Sequence, residues 1–332
     1  MSSSSSAALF VTRPGASRTA LAFVATLAAL AELAAGARPA LAQRERPAHG
    51  PERSRVDTTV ALASGGTVEL SLRTGTATVT AWSRREVRIV AEADGGGLEF
   101  EASSGHVSLG ATHGSGETRY EISVPADARL VLESQSADLT VRGVSGAVEA
   151  NSNSGDVDLS DVTGDVQSHT VSGAIHVSGA ATALRLETVS GDIEADGAGG
   201  LVDVETVSGE IVLTAMRAHS LRAETVSGDI TYDGDIAADG HYELHAHSGD
   251  IRLRLAEATN ARLGVETYNG EFESDFPVQM QPASGQRQGD RRFEVAIGTG
   301  AGAAIDIETF NGDIHLGRSG TRPRSIPQRA TP

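Results

Sequence analysis

Apolar and polar residues alternate along most of the chain in short runs, and the runs meet at Ser-Gly, Thr-Gly or Asn-Gly pairs. Relative to the glycine of such a pair, apolar residues occupy positions −7, −5, +2 and +4, and a threonine or small residue occupies position −3. Around Gly191 these residues are Leu184, Leu186, Ile193, Ala195 and Thr188. Alternation with a period of two predicts half-buried β-strands on both sides of the pair. The odd gap across the pair predicts a corner, where glycine adopts backbone angles closed to other residues.

The corner glycines recur at regular intervals. We assign this structural role to Gly155, Gly173, Gly191, Gly209, Gly228, Gly249, Gly270 and Gly312. Successive steps between them are 18, 18, 18, 19, 21, 21 and 42 residues, and the last is twice 21. Internal repeats of this length are typical of solenoids. The pattern therefore predicts an all-β parallel β-solenoid, or β-helix, with two-strand coils of about 18–21 residues in the middle of the chain.

The same pattern extends upstream with longer spacing. Gly75, Gly105 and Ala137 take the corner position there, and the added length contains two further strand-like segments, 85–93 and 118–126. This predicts longer coils at the N-terminal end. Equivalent strands of consecutive coils should stack in parallel at about 4.8 Å. An antiparallel sandwich is the alternative, but it does not predict identical sequence words at a fixed step.

The two ends of the chain differ from this repeat. Residues 43–57 and 318–332 are rich in proline and arginine without apolar periodicity, which predicts a linker and a disordered tail. Two arginines, Arg13 and Arg18, precede an apolar run at 19–31, and ALA at 40–42 supplies small residues at the cleavage positions, which is typical of a signal peptide over residues 1–42. An uncleaved anchor is the alternative, although the apolar run is short for a membrane span. One solenoid domain over residues 58–317 accounts for the rest.

The predicted signal peptide indicates an exported protein that is periplasmic, displayed at the cell surface or secreted, with no transmembrane segment after cleavage. Composition adds three constraints. Aromatic residues make up 4% of the chain and glycine 38 of its 332 residues, which suits a thin, repetitive core. The absence of cysteine excludes disulfides, thiolate metal sites, cysteine nucleophiles and a lipid anchor at the cleavage site. A net charge of −17 argues against nucleic-acid partners.

Acidic residues recur at two positions of the repeat. Position +1 is acidic in most coils, and position −4 is glutamate in several, giving Asp192, Glu210, Asp229, Asp250 and Glu187, Glu205, Glu224. In a parallel stack these columns become ladders of like charge, which repel unless a cation binds between them. We therefore consider calcium bound between coils as a hypothesis. The chain departs from the calcium-binding β-roll repeat, which has more glycines and a later aspartate. The alternative is that the acids occupy solvated corners and outward faces.

Three further features of the sequence are candidates for a metal site, a binding loop and a catalytic site. His241, His245 and His247 would share the outward side of one strand, where a surface zinc site is conceivable, although exposed histidines are the simpler interpretation. Residues 281–292 form an arginine-rich interruption of the repeat, interpreted as a tolerated insertion or a binding loop. The repeated acids single out no catalytic pair, and no nucleophile elbow or nucleotide-binding motif is present. The sequence predicts that the protein is not an enzyme.

Three phrases carry a resemblance to a known family: the repeated ETVSGDI (187–193 and 224–230), YEISVPADARLVLES (120–134) and IGTGAGAAIDIETFNGDIHL (297–316). Over residues 60–317 the chain resembles the bacterial "putative adhesin" family of unknown function, which is built of β-strand repeats. The resemblance implies an exported or envelope-associated β-solenoid, without catalytic residues to assign.

We therefore expect a non-enzymatic scaffold that is an adhesin or an envelope-associated binding or structural protein. Its partner would be an envelope or extracellular glycan or protein. The alternative function is a polysaccharide-active β-helix enzyme, either a lyase or a hydrolase, because β-helices often carry such sites. That alternative requires acids and arginines to converge in one cleft outside the repeat.

Overall fold

A computed structural model describes residues 53–94, 97–111, 116–282 and 292–319. The predicted signal peptide and the tail beyond residue 319 lie outside these ranges. The described residues form 24 strands joined in one continuous hydrogen-bonded sheet, and they contain no helix. It follows that this part of the chain has no helix with the length and apolar character that crossing a membrane requires.

The strands divide into three groups along the chain. The N-terminal group is β1 (Arg53–Ala61), β2 (Thr67–Trp82), β3 (Glu86–Asp94), β4 (Leu98–Ala102), β5 (His106–Ala111), β6 (Thr118–Pro125) and β7 (Arg129–Arg142). The middle group is β8 (Val148–Ser154), β9 (Val157–Ser160), β10 (Val166–Ser172), β11 (Ile175–Ser178), β12 (Ala183–Ser190), β13 (Ile193–Asp196), β14 (Gly199–Ser208), β15 (Ile211–Ser227), β16 (Ile230–Gly234), β17 (His241–Ser248) and β18 (Ile251–Leu255). The C-terminal group is β19 (Ala261–Asn269), β20 (Phe272–Ser274), β21 (Gln279–Pro282), β22 (Arg292–Ile297), β23 (Ala303–Asn311) and β24 (Ile314–Arg318).

The middle strands confirm the predicted parallel β-solenoid. Leu184 of β12 pairs with Val166 of β10 on one side and Val202 of β14 on the other, and the parallel column continues through Leu221 and Tyr242. After the corner, Ile175, Ile193, Ile211 and Ile230 form a second column. The residues of both columns are buried, so the core is a thin layer between two stacked faces. The period-two alternation predicted both columns, because it assigns every second residue of each strand to the inside.

Backbone crowding explains why the corner is glycine. A Cβ at Gly209 would lie 1.9 Å from the carbonyl oxygen of Gly191, which occupies the same position one coil earlier. Gly228 stands in the same relation to Gly209, also at 1.9 Å. The neighbouring threonine exploits this approach, since Thr206 Oγ1 donates a hydrogen bond to the Gly191 carbonyl at 3.3 Å. The repeated Thr and Gly are therefore one packing unit between consecutive coils.

The N-terminal end agrees with the predicted pattern at two of its three corners. β2 and β7 pair in parallel with Gly75 opposite Ala137, which places both in one corner column as predicted. Gly105 is not a corner. β4 and β5 form an antiparallel hairpin around it, and Val107 lies opposite Val68, a position −7 residue, instead of joining the +2 column. A hairpin strand and a solenoid strand show the same local alternation of apolar and polar residues. Only their pairing with distant strands distinguishes the two.

Antiparallel strands account for the extra length at this end. β6 pairs in parallel with the second half of β2, and two antiparallel pairings follow: β3 pairs with β6, and β1 pairs with β3 along its whole length. These strands close the end of the rod. Because β1 begins at Arg53, residues 53–57 are strand, and the interpretation of 43–57 as a linker is wrong for that part.

The C-terminal coils do not stack in chain order, which corrects the assumption that consecutive coils are neighbours. β23 inserts between β17 and β19, and β24 lies between β18 and β20. The coil with corner Gly312 therefore precedes the coil with corner Gly270 along the rod. Thr267 Oγ1 donates to the Gly312 carbonyl at 3.3 Å, so the corner contact is preserved in the permuted order. Both coils follow the same pattern of apolar, threonine and acidic positions, so the pattern alone did not distinguish one order from the other.

We predict that Gly209→Ala destabilises the protein by about 1–3 kcal/mol, because the new methyl group meets backbone of the preceding coil that cannot rotate away. Gly105→Ala is the matched control, since an added Cβ there meets no atom within 4 Å. Urea unfolding of both variants measures the difference in the free energy of unfolding. Equal stability of the two variants would contradict the crowded corner.

Candidate binding surface along the corners

The aspartates at position +1 act as backbone acceptors between coils. The Glu210 N–H donates to Asp192 Oδ1 at 2.8 Å, the Asp250 N–H to Asp229 Oδ1 at 2.9 Å, and the Asp313 N–H to Asp250 Oδ1 at 2.9 Å. The longer Glu210 makes no such bond to the next coil among the described residues. Sequence reasoning missed this role, although the preference for the short aspartate at a corner was a usable signal.

The glutamates at position −4 do form the predicted ladder. Glu187, Glu205 and Glu224 lie opposite one another on successive strands. Arginines at position −6 reduce their repulsion: Arg185 contacts Glu187 at 2.7 Å, and Arg222 contacts Glu224 at 2.7 Å. These pairs are exposed and contribute little to stability. Their effect is to let three like charges stack at neighbouring positions.

Arg252 joins two acids of the other column. Its guanidinium donates to Asp229 Oδ2 at 2.7 Å and to Asp250 Oδ2 at 2.8 Å. Partial burial opposes ionisation of Asp229, but the hydrogen bonds from Arg252 and from the Asp250 N–H outweigh it, so the pKa of Asp229 lies below its usual value. Asp229 and Asp250 are therefore held by protein donors on both of their oxygens.

The metal hypotheses find no additional support in these contacts. Within the described ranges, no group of three or more histidine, aspartate or glutamate side chains is arranged to hold a metal ion. Calcium between coils stays a prediction.

The three candidate histidines do lie on the outward side of β17, but each has a different neighbour. His241 Nε2 lies 3.0 Å from Glu243 Oε1, and His245 Nδ1 lies 3.5 Å from Glu308 Oε2. The His247 ring stacks on Phe310, with ring centroids 5.1 Å apart.

One outward column is apolar, and sequence reasoning did not identify it. It comprises the residues at position −2 of seven successive coils, which we call the corner stripe: Val171, Val189, Val207, Val226, His247, Phe310 and Tyr268, in their order along the rod. Its valines are 40–50% exposed, and Phe310 is 42% exposed. Phe310 also contacts the Tyr268 ring, with centroids 5.1 Å apart. The signal was present in the sequence as the valine of ETVSGDI, which falls on the outward side of the alternation.

A groove at the N-terminal end lies between the strands β1, β3 and β6 and the corner of β2 at Gly75. It has a volume of about 490 Å³, and its lining includes Arg55, Arg119, Glu92, Asp94 and Glu117. Arg55 and Glu92 form an ion pair at 3.3 Å. The groove thus brings acids and arginines together in one place, between the antiparallel strands that close the rod.

The arginine-rich interruption at 281–292, interpreted as a tolerated insertion or a binding loop, lies mainly outside the described residues. The structure describes its two ends, where β21 and β22 pair in antiparallel fashion with Pro282 opposite Phe293. The segment therefore connects two adjacent strands. Arg292, at the start of β22, contacts Asp306 at 2.9 Å.

This chain is similar to one known family and to two solved structures. The family model described as Toastrack DUF4097 matches residues 74–317. No curated protein matches the chain. Among solved structures, a putative cell adhesion protein from Clostridium sporogenes ATCC 15579 is 9% identical with a TM-score of 0.24, covering 80% of this chain and 100% of that one. A putative adhesin from Bacteroides fragilis NCTC 9343 is 10% identical with a TM-score of 0.34, covering 81% and 98%.

We predict that Asp192→Ala lowers the free energy of unfolding by about 0.5–1.5 kcal/mol, because the Glu210 N–H loses its acceptor. Asp192→Asn keeps an acceptor oxygen and should lose less. Conversely, Glu210→Asp should stabilise the protein by providing an acceptor for the next coil. Chemical denaturation of the three variants tests this order, and equal losses for Asp192→Ala and Asp192→Asn would show that charge, not the hydrogen bond, matters.

We predict a pH dependence that arises at Asp229. Its pKa is lower in the folded chain than in the unfolded chain, so its contribution to stability is present above the unfolded pKa, about 4, and is lost as the pH falls through the folded value. Arg252→Met should therefore destabilise the protein at pH 6 more than at pH 3. Arg254→Met is the control, since Arg254 lies 3.9 Å from Asp233 and makes a weaker pair. Urea unfolding at both pH values provides the measurement; a loss independent of pH would contradict the assignment.

Proposed function

The chain belongs to the Toastrack DUF4097 family, and on that premise we propose that it is an exported, non-enzymatic β-solenoid scaffold that binds other molecules at the cell envelope, as an adhesin does. The corner stripe carries this proposal. Single exposed apolar residues are ordinary on protein surfaces, whereas a continuous apolar line marks an interaction site. Six of the seven stripe residues are valine or aromatic, and the four valines and Phe310 are 40–50% exposed.

The use of the repeat residues supports a binding role over catalysis. In ETVSGDI the threonine and glycine pack one coil on the next, and the aspartate accepts a backbone hydrogen bond. These polar groups are engaged in holding the rod together. The valine keeps 40–50% of its surface exposed, and its repetition at one outward position favours contact with another molecule.

Export is supported by the predicted signal peptide at residues 1–42. The absence of cysteine is compatible with any of the three predicted locations, which are the periplasm, the cell surface and the medium. A rod of this kind presents a long, uniform surface, which suits contact with an extended partner.

The N-terminal groove is the observation that favours the alternative function. Polysaccharide lyases and hydrolases use clustered carboxylates and basic residues, and the groove holds both. Glu92 is already paired with Arg55, which suits a structural ion pair as well as a substrate site. We therefore retain the polysaccharide-active enzyme as the second candidate.

We predict that residues 43–332 bind at least one component in a screen of envelope glycans and extracellular matrix proteins. Val207→Ser combined with Val226→Ser should weaken that binding at least tenfold, because two exposed apolar contacts are lost. Leu201→Ser is the matched control, since Leu201 is 63% exposed but lies outside the corner stripe. Surface plasmon resonance against each hit measures the change in affinity.

Two results would overturn the proposal. Binding that is unaffected by the double substitution would remove the corner stripe as its basis. Cleavage of a polysaccharide by the same preparation, abolished by Glu92→Gln, would replace the scaffold with the enzyme alternative and locate the reaction in the N-terminal groove.

A further inference from the structure

We propose that the corner stripe is a docking surface for an extended, cationic segment of another polypeptide. This inference rests on the proposed binding function and specifies the class of partner. It starts from the position of the stripe between two columns of acids.

Both columns that border the corner stripe are mainly acidic. On one side, position −4 holds five glutamates and two histidines, and each histidine lies 3.5 Å from a glutamate of the same column: Glu187, Glu205, Glu224, Glu308, Glu266, His169 and His245. On the other side, across the corner, position +1 holds an acid in six of the seven coils and Ala174 in the first: Asp192, Glu210, Asp229, Asp250, Asp313 and Glu271. Each stripe residue is two residues from position −4 and three from position +1, within reach of a long basic side chain lying over the stripe. An apolar line with carboxylates on both sides complements a chain that alternates apolar and basic residues.

The arginines near the stripe do not neutralise it. Arg185, Arg222 and Arg252 are each bound to carboxylates of these columns, and Arg292 lies 3.9 Å from Glu266. These four arginines are fewer than the eleven acids that border the stripe. Each aspartate acceptor of position +1 also uses one oxygen for a backbone N–H, which fixes its orientation but leaves its negative charge. The surface is therefore a preorganised anionic track, and binding a cation to it requires little rearrangement.

The stripe residues favour a polypeptide over a sugar. Four of the seven are valines, whose methyl groups pack well against aliphatic side chains. Sugar-binding platforms rely on aromatic rings, and the stripe has only Phe310 and Tyr268 at one end. Arginine side chains, in contrast, form paired hydrogen bonds with carboxylates and also lie over aromatic rings.

A second copy of this chain is disfavoured as the occupant. Packing two stripes together would bring the acidic columns of one copy against those of the other. The chain carries a net charge of −17, so association of two copies is also opposed at longer range. The partner should have the opposite charge.

The test uses three synthetic dodecapeptides: alternating Arg-Val, alternating Arg-Ser and alternating Glu-Val. Fluorescence anisotropy with residues 43–332 at low salt should show binding of the Arg-Val peptide, at least tenfold weaker binding of Arg-Ser and none of Glu-Val. Affinity for Arg-Val should fall as salt is raised, because exposed charges are screened. Equal binding of Arg-Val and Glu-Val would overturn the cationic assignment.

Two sets of variants test the location. Val207→Ser with Val226→Ser should weaken Arg-Val binding at least tenfold, whereas Leu201→Ser should not change it. Glu205→Gln with Glu210→Gln removes the charges on the two sides of Val207 and should weaken binding at least threefold. Glu101→Gln with Glu121→Gln changes the net charge equally at exposed sites of the N-terminal strands β4 and β6, outside both bordering columns, and it serves as the control. Equal effects of the two glutamate pairs would reduce the interaction to net charge and overturn the site.

Three outcomes separate this inference from the proposed function. If a glycan from the binding screen loses affinity with the valine substitutions while the Arg-Val peptide never binds, the scaffold function stands and the polypeptide partner is wrong. If the valine substitutions abolish a dimer seen by sedimentation, the occupant is a second copy and this inference is also wrong. If they change no binding at all, both proposals fail.

Discussion

The structure depends on how closely the backbones of consecutive coils approach each other at the corner. The carbonyl of one corner glycine lies where the next corner residue would carry a Cβ, with a separation of 1.9 Å between Gly191 O and the Cβ position of Gly209. This contact lets a single residue turn the strand without opening a gap between coils. The threonine hydroxyl, which would be costly to bury alone, finds its acceptor in the same carbonyl. The stacking of whole coils follows from this repeated contact.

The corner also explains why the seven residues of ETVSGDI have different structural roles. Thr, Gly and Ile of ETVSGDI face the core or the neighbouring coil, and Asp links its coil to the next through the backbone. Glu and Val remain on the surface. Because the repeat places each at a fixed position, their properties accumulate into columns, one acidic and one apolar. A function carried by such columns belongs to the rod as a whole and not to a single residue, which fits binding better than catalysis.

At the ends of the rod, the repeat no longer determines which strands pair with one another. Strands β1, β3 and β6 close one end in antiparallel fashion, and the coil of β23 and β24 inserts out of chain order near the other. In both places the strands keep the ordinary alternation of apolar and polar residues. Their pairing depends on which neighbouring strand is available. Gly105 illustrates the limit: it has the spacing of a corner, but it lies in a hairpin and an added Cβ would meet nothing.

The sequence by itself determined the solenoid class, the inward columns through Leu184 and Ile193, and the positions of the corner glycines, because strand alternation and the spacing of the Ser-Gly pairs are properties of the sequence alone. It did not reveal that contact with the preceding coil is what requires glycine at these corners. It also located the acid columns, but not the backbone hydrogen bonds of Asp192 and Asp229 or the exposed corner stripe. Only the tertiary structure decided these, together with the order of the last coils. The reason is physical: a capping bond, an exposed surface and a stacking order each depend on which coil lies next in space, and the repeated words offer every coil the same partners.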